Sequence, residues 1–285
     1  MTQLRLALVT IVCIHAGVLR AETSANEATR IVTLSPHLAE LVFSIGAGDR
    51  LVGVSAFTDF PEAATRLPVV GDAFMLDLER MTLLNPDLLL AWESGTPAHV
   101  VDELVSRGFR VESIRTKNLS DVPQAMLRLG ALTGQLTNAR AAAREFETGI
   151  AALGEAAAGA AAISVFYQIS ERPLYTINGE HYVSQLIEVC GGRNVFADLG
   201  KLAPLVGVEA VIERDPEVML AADDAGADAF AAWDRWPAIA ANRYGNRFLM
   251  PAAQIGRATP RLLEAGKAMC LALERGRENR KRRHD

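Results

Sequence analysis

The sequence lacks most of the signatures by which enzymes and nucleic-acid binders announce themselves. None of its three cysteines stands in a Cys-x-x-Cys pair, no two histidines are spaced His-x-x-x-His, and no serine sits in a Gly-x-Ser-x-Gly elbow. Those absences exclude a zinc site or a hydrolase nucleophile built from neighbouring residues. An excess of positive charge is missing too: the formal net charge is −5 and the pI is near 5.6, which argues against nucleic acid as the main partner. Nor is there an uninterrupted apolar run of the ~18 residues that a membrane-spanning helix requires. The longest mostly apolar stretch, Leu6 to Val18, falls short of it.

That stretch has another reading. Arg5 precedes it and small residues follow, with Ala21 a plausible cleavage point, so residues 1–21 read as a secretory signal peptide. Val12 is too bulky for a lipidated cysteine at Cys13. The processed protein is then exported and soluble, and it keeps Cys190 and Cys270, an even pair in an oxidising compartment. A disulfide between them is expected; two buried thiols are the alternative. At the other end, residues 275–285 are strongly basic with almost nothing apolar, and read as a disordered, solvated tail.

The chain then says one thing twice. Glu79 is followed seven residues on by Pro86-Asp87 and the apolar run Leu88 to Ala91; Glu209 is followed seven residues on by Pro216-Glu217 and Val218 to Ala221. Each copy reads as a short helix, a stop before proline and a buried strand. Repetition of such a unit implies two lobes of one design, and a cleft between similar lobes is a binding site before it is anything else. Between the copies, Asn138 to Gly154 is alanine-rich and free of proline, which predicts one long helix. We therefore expect an α/β fold: an N-terminal lobe over 30–136, a connecting backbone helix over 137–158, and a C-terminal lobe over 159–274. The alternative for the long helix is a surface element of the first lobe.

Within the lobes, strands are expected at Arg30 to Leu34, Leu51 to Val54, Val111 to Ile114, Ile163 to Gln168 and Phe248 to Met250, with a last helix over Arg261 to Leu273. Gly46-x-Gly48 invites a dinucleotide-loop reading and fails it, because these glycines end a helix and Leu51 occupies the third position.

Ligands of open α/β lobes meet the loops at the carboxyl ends of the strands. Those loops hold Ser35 to His37, Phe57 to Phe60, Trp92 to Gly95, Tyr167 to Tyr175 and Ala253 to Arg257. The set is aromatic and amide-rich with few charges, which suits a large, nearly neutral ligand better than hydrolysis. His37 and His181 occupy equivalent-looking places in the two lobes, where a metal or haem bridge is conceivable, although isolated loop histidines more often serve as hydrogen-bonding residues. Trp233 and Trp236 read as packing. Glu79 and Glu209 open the repeated helices, where a helix-dipole role is the plain explanation. As one carboxylate per lobe on equivalent surfaces, they also suit salt bridges to a two-fold symmetric partner.

Several segments together carry a resemblance: RIVTLSPHLAELVFSIGAGDRLVGVS, VGDAFMLDLERMTLLNPDLLLAWESG, the Tyr175-Thr-Ile-Asn-Gly179 loop and LIEVCGGRNVFAD. They resemble the bacterial periplasmic binding proteins for B12, haem and ferric siderophores, those with a helical backbone between lobes. The Ala91-Trp92 with Ser94-Gly95 and the Cys190-Gly191-Gly192 segments point to the cobalamin branch. The resemblance spans about Arg30 to Leu273. It implies two Rossmann-like lobes with the ligand cleft between them, little hinge motion, and a non-enzymatic monomer that carries cobalamin as cargo, with no cofactor, to the permease of a membrane ABC importer. By the same resemblance, Glu79 and Glu209 fall on the carboxylates that dock against permease arginines, and Cys190 and Cys270 on the bridged pair. Phe57 falls on an aromatic ligand contact, and Ala253, Gln254, Ile255, Gly256 and Arg257 on a ligand-contacting loop.

The match is not complete. Ala73 and Ala203 stand where the best-known cobalamin binders have tryptophans, and Ala253 where they have an acidic residue. Phe74, Trp92, Tyr167 and Tyr175 are expected to supply aromatic surface instead. A haem or ferric-siderophore receptor of the same fold is the alternative. An exported metal-dependent enzyme or sensor domain is a third reading.

Overall fold

The computed structural model describes residues 27–73 and 75–283; the proposed signal peptide and Phe74 lie outside the described residues. The strands are β1 Ile31–Thr33, β2 Leu51–Gly53, β3 Leu88–Trp92, β4 Val111–Ile114, β5 Ile163–Gln168, β6 Ser170–Glu171, β7 Leu174–Tyr175, β8 Gly192–Asn194, β9 Val218–Ala222 and β10 Arg247–Met250. The helices are α1 Pro36–Ser44, α2 Glu62–Thr65, α3 Leu78–Leu84, α4 Ala98–Ser106, α5 Asp121–Leu132, α6 Leu136–Ala156, α7 Tyr182–Val189, α8 Val208–Arg214, α9 Ala240–Tyr244, α10 Ala252–Ile255 and α11 Leu262–Arg282.

Two four-stranded parallel sheets result, ordered β2-β1-β3-β4 and β10-β9-β5-β8. In each, the first strand of the lobe lies between the second and the third, and the fourth flanks the third, so the two lobes share one topology. The central strands are buried along nearly their whole length, because helices cover both faces of a parallel sheet and leave no side for polar alternation.

The repeat read from the sequence is the hinge of each sheet's architecture. Helices α3 and α8 are seven residues each and end on left-handed residues, Asn85 (φ 45°) and Asp215 (φ 38°). The acid after each proline then ties the third strand to the first. Asp87 accepts the Thr29 and Arg30 N–H groups at 2.8 and 3.0 Å, and Glu217 accepts the Ser164 N–H at 2.9 Å.

One contiguous hydrophobic cluster runs through both lobes, joining Leu38, Leu90 and Met126 to Phe146, Leu186, Met269 and Leu220. Helix α6 packs on α5 of the first lobe and on α7 and α11 of the second. Two glycines permit that approach: a Cβ on Gly149 would come within 2.6 Å of Leu263, and one on Gly266 within 2.6 Å of Leu153. The disulfide Cys190–Cys270 fastens α7 to α11.

The basic C-terminal tail is not disordered where it is described. Helix α11 continues through Arg282. Arg277 is buried and donates to the carbonyls of Ala161, Cys190 and Gly191 at 2.7, 2.8 and 2.9 Å. Arg280 reaches Glu217 at 2.7 Å. Composition suggested solvation, but these cations satisfy carbonyls of the second lobe, including those at the end of α7. A smaller correction concerns Ala253 to Arg257, expected as a loop: Ala253, Gln254 and Ile255 belong to the helical turn α10.

Candidate functional site

The carboxyl ends of both sheets face a common cavity of about 500 Å³. From the first lobe come Ser35 to His37 after β1, Trp92 and Ser94 after β3, and Thr116-Lys117 after β4. From the second come Tyr167 and Ile169 at the end of β5, His181 to Val183 at the start of α7, Leu202-Ala203, and Ile255 to Ala258 after β10.

Of the predicted ligand contacts, Trp92, Tyr167, Ile255, Gly256 and Arg257 line this cavity, whereas Ala253 and Gln254 do not. Phe57 and Tyr175 stand outside the floor. Phe57 is 82% exposed in the loop after β2. Its backbone is left-handed (φ 63°), a conformation that costs a bulky residue of order 1–3 kcal/mol and holds only where its surroundings impose it. Here Arg257 imposes it, donating from Nη2 to the Phe57 carbonyl at 3.1 Å. Tyr175 pairs with Leu205, and its carbonyl accepts the N–H of Ile169; all three side chains are exposed, and Ile169 lines the cavity.

The charged groups of the cavity are already paired. Arg257 bonds Glu40 at 2.8 Å and both oxygens of Asp59; Arg261 also reaches Glu40, at 3.5 Å, and stacks over the Phe60 ring. These bonds run from the second lobe to the first. On the opposite side Lys117 pairs with Glu180, the Tyr182 N–H donates to the Lys117 carbonyl, and the Leu119 N–H donates to Gln185. The Arg257 hydrogen bond, the largest stabilising contribution, holds the Asp59 carboxyl below its usual range.

Neither histidine offers a free lone pair. His37 is buried, with Nδ1 at 2.7 Å from the Ser35 hydroxyl and Nε2 at 3.3 Å from that of Thr116, and its ring meets Trp92 edge-on. Burial, then the nearby Arg257 charge, lowers its pKa to about 3, so it is neutral. His181 caps α7: its Nδ1 accepts the Val183 N–H at 3.2 Å, which puts the proton of the neutral ring on Nε2. Burial lowers its pKa to about 4. The two histidines thus meet in one cavity, as donors and packing rather than as metal ligands. Among the described residues no three His, Cys, Asp or Glu side chains are grouped to hold a metal ion. Burial also raises the pKa of the Tyr167 and Tyr182 phenols.

Sequence reasoning missed Thr116, Lys117 and Tyr182. The signal for the first two was available, since they follow β4 as Trp92 follows β3. Nothing local marks Tyr182, which enters only because α7 starts at the cavity. Trp233 packs in the second lobe, donating to Gln168 at 2.7 Å. Glu79 and Glu209 are exposed in the first turns of α3 and α8.

Residues 31–253 match the periplasmic binding protein family. The chain belongs to that family. As a periplasmic binding protein it is a substrate-binding protein and not an enzyme, it works in the periplasm, and its ligand is cargo. It is 33% identical over 250 residues to the vitamin B12-binding protein of Vibrio parahaemolyticus serotype O3:K6 (strain RIMD 2210633), covering 87% of this chain and 90% of that one. The crystal structure of the periplasmic vitamin B12 binding protein BtuF of Vibrio cholerae superposes with a TM-score of 0.79 at 30% identity, over 88% of this chain and 98% of that one. A periplasmic haem binding protein from Pseudomonas aeruginosa gives a TM-score of 0.74 at 26% identity, over 86% and 92% of the two chains. Its fold is therefore shared by binding proteins named for vitamin B12 and for haem.

Proposed function

We propose that this chain captures cobalamin, or a closely related corrinoid, in the interlobe cavity and delivers it to the permease of an ABC importer. The observation that carries the reading is a cavity between lobes with a neutral floor and apolar, exposed side chains at its edge, in a chain whose full-length relatives are named for vitamin B12. A corrinoid is larger than the cavity, so its edge rests on Phe57 from one lobe and on Ile169, Tyr175 and Leu205 from the other. Residues 1–21 direct export, and the protein acts as a monomer. Glu79 and Glu209 are the docking carboxylates, one on each copy of the repeated helix, matched to basic residues of the permease.

Haem or a ferric siderophore is the second reading, supported by the two buried phenols in the cavity. It is disfavoured because burial holds both phenols protonated, both nitrogens of His37 are engaged, and the lone pair of neutral His181 is taken by the Val183 N–H, leaving no ready ligand for iron. Calorimetric titration of residues 22–285 with cyanocobalamin, with haemin as control, tests the choice. One-to-one binding of cyanocobalamin below about micromolar supports the corrinoid reading; binding of haemin alone refutes it. Glu79→Ala combined with Glu209→Ala is expected to abolish vesicle uptake while leaving binding intact. Loss of both together refutes the docking role.

A further inference from the structure

Each cation among the residues lining the cavity is paired with a carboxylate that does not line it. Lys117 has Glu180, and Arg257 has Asp59 and Glu40, the latter shared with Arg261. Three cations thus meet three carboxylates. The two histidines, which would otherwise add positive charge, are buried and uncharged at neutral pH. The floor still offers donors, among them His181 Nε2–H, the phenols and the Ser94 hydroxyl, so it can hydrogen-bond acyl oxygens without carrying spare charge. A carboxylate that enters such a site is desolvated without a counter-ion, a penalty that an uncharged amide does not incur.

We infer that Glu180 and Asp59 are specificity determinants: by neutralising Lys117 and Arg257 they make the cavity accept a ligand with uncharged amide arms and turn away the same ligand bearing carboxylate arms. This rests on the corrinoid reading above and goes beyond it, since it says which corrinoids are admitted. Both carboxylates are placed for the role. Glu180 and Asp59 are exposed on their outer sides, at 65% and 58%, while the cations they neutralise are 36% and 18% exposed. Removing either charge therefore leaves a net positive cavity without opening a hole in the core.

The test compares cyanocobalamin with its separated monocarboxylic acids, in which one side-chain amide is hydrolysed, by calorimetry at pH 7.5. The wild-type protein is expected to bind at least one acid tenfold or more weakly than cyanocobalamin. Glu180→Gln and Asp59→Asn are each expected to narrow that ratio at least threefold by binding the acid more tightly, and the gain should shrink as salt is raised. A gain in affinity has no explanation in a damaged fold. Equal wild-type affinity for every acid overturns the inference, as does a ratio that neither variant changes, or a parallel loss for all ligands that would make the pairs mere ties between lobes. If cyanocobalamin itself does not bind the wild-type protein, the corrinoid reading fails and this inference with it.

Discussion

Replacing Arg257 by methionine keeps the aliphatic stem and removes the guanidinium, and the structure sets what that costs. The side chains of Arg257 and Glu40 are 18% and 2% exposed. After the change Glu40 retains only Arg261, at 3.5 Å, while its Oε2 is buried and has no partner already. Stranding a buried carboxylate in this way costs roughly 3–5 kcal/mol. The remaining exposure of Arg257 lets water offset part of it, so about 2–4 kcal/mol is expected. Asp59 lies on the other side of the same guanidinium but is 58% exposed, so Asp59→Asn should cost about 1 kcal/mol or less. Urea unfolding of residues 22–285 with the disulfide intact, at pH 7, measures both through shifts in midpoint at constant slope. A loss below about 1 kcal/mol for Arg257→Met, or a larger loss for Asp59→Asn, would refute the claim that the buried half of this clamp holds the lobes together.

Acid should destabilise the protein through its histidines. His37 and His181 have folded pKa values of about 3 and about 4, below the unfolded value of 6.5, so below pH 6.5 the unfolded chain binds more protons. Stability then falls as pH drops from about 6.5 toward 4, by about 1.4 kcal/mol per pH unit for each histidine; His37→Gln should flatten that slope, and an unchanged slope contradicts the assignment. The bridge Cys190–Cys270 closes a separation of 80 residues. Its replacement by two alanines should cost about 4 kcal/mol by loop-closure entropy, read from the same urea curves. Phe57→Ala and Trp92→Ala should each weaken cyanocobalamin binding at least tenfold by titration; unchanged affinity for both would remove these rings from the site.

Much of this molecule was determined along the chain itself. Strand and helix placement follows from local pattern: in both copies of the Glu-to-Pro unit a short helix stops before proline and an acid, and the apolar run that follows is a buried strand, so the unit was visible twice and the two sheets share one topology. The disulfide was legible because Cys190 and Cys270 are the two cysteines outside the proposed signal peptide, and Trp92 and Tyr167 because they end strands. Other features depend on partners far away in sequence. Residues 275–283 look solvated by composition, yet Arg277 is buried because carbonyls of Ala161, Cys190 and Gly191 converge on it only in the folded protein. Phe57 owes its presentation to Arg257, 200 residues away. The state of the histidines was likewise undecidable from their spacing. His37 and His181 become neutral only when burial removes their water, with Ser35 and Thr116 on the His37 nitrogens and the Val183 N–H on His181 Nδ1. Local pattern fixes which elements form; charge compensation and tautomer are properties of the assembled cavity, because both depend on which groups two separate lobes bring within hydrogen-bond reach.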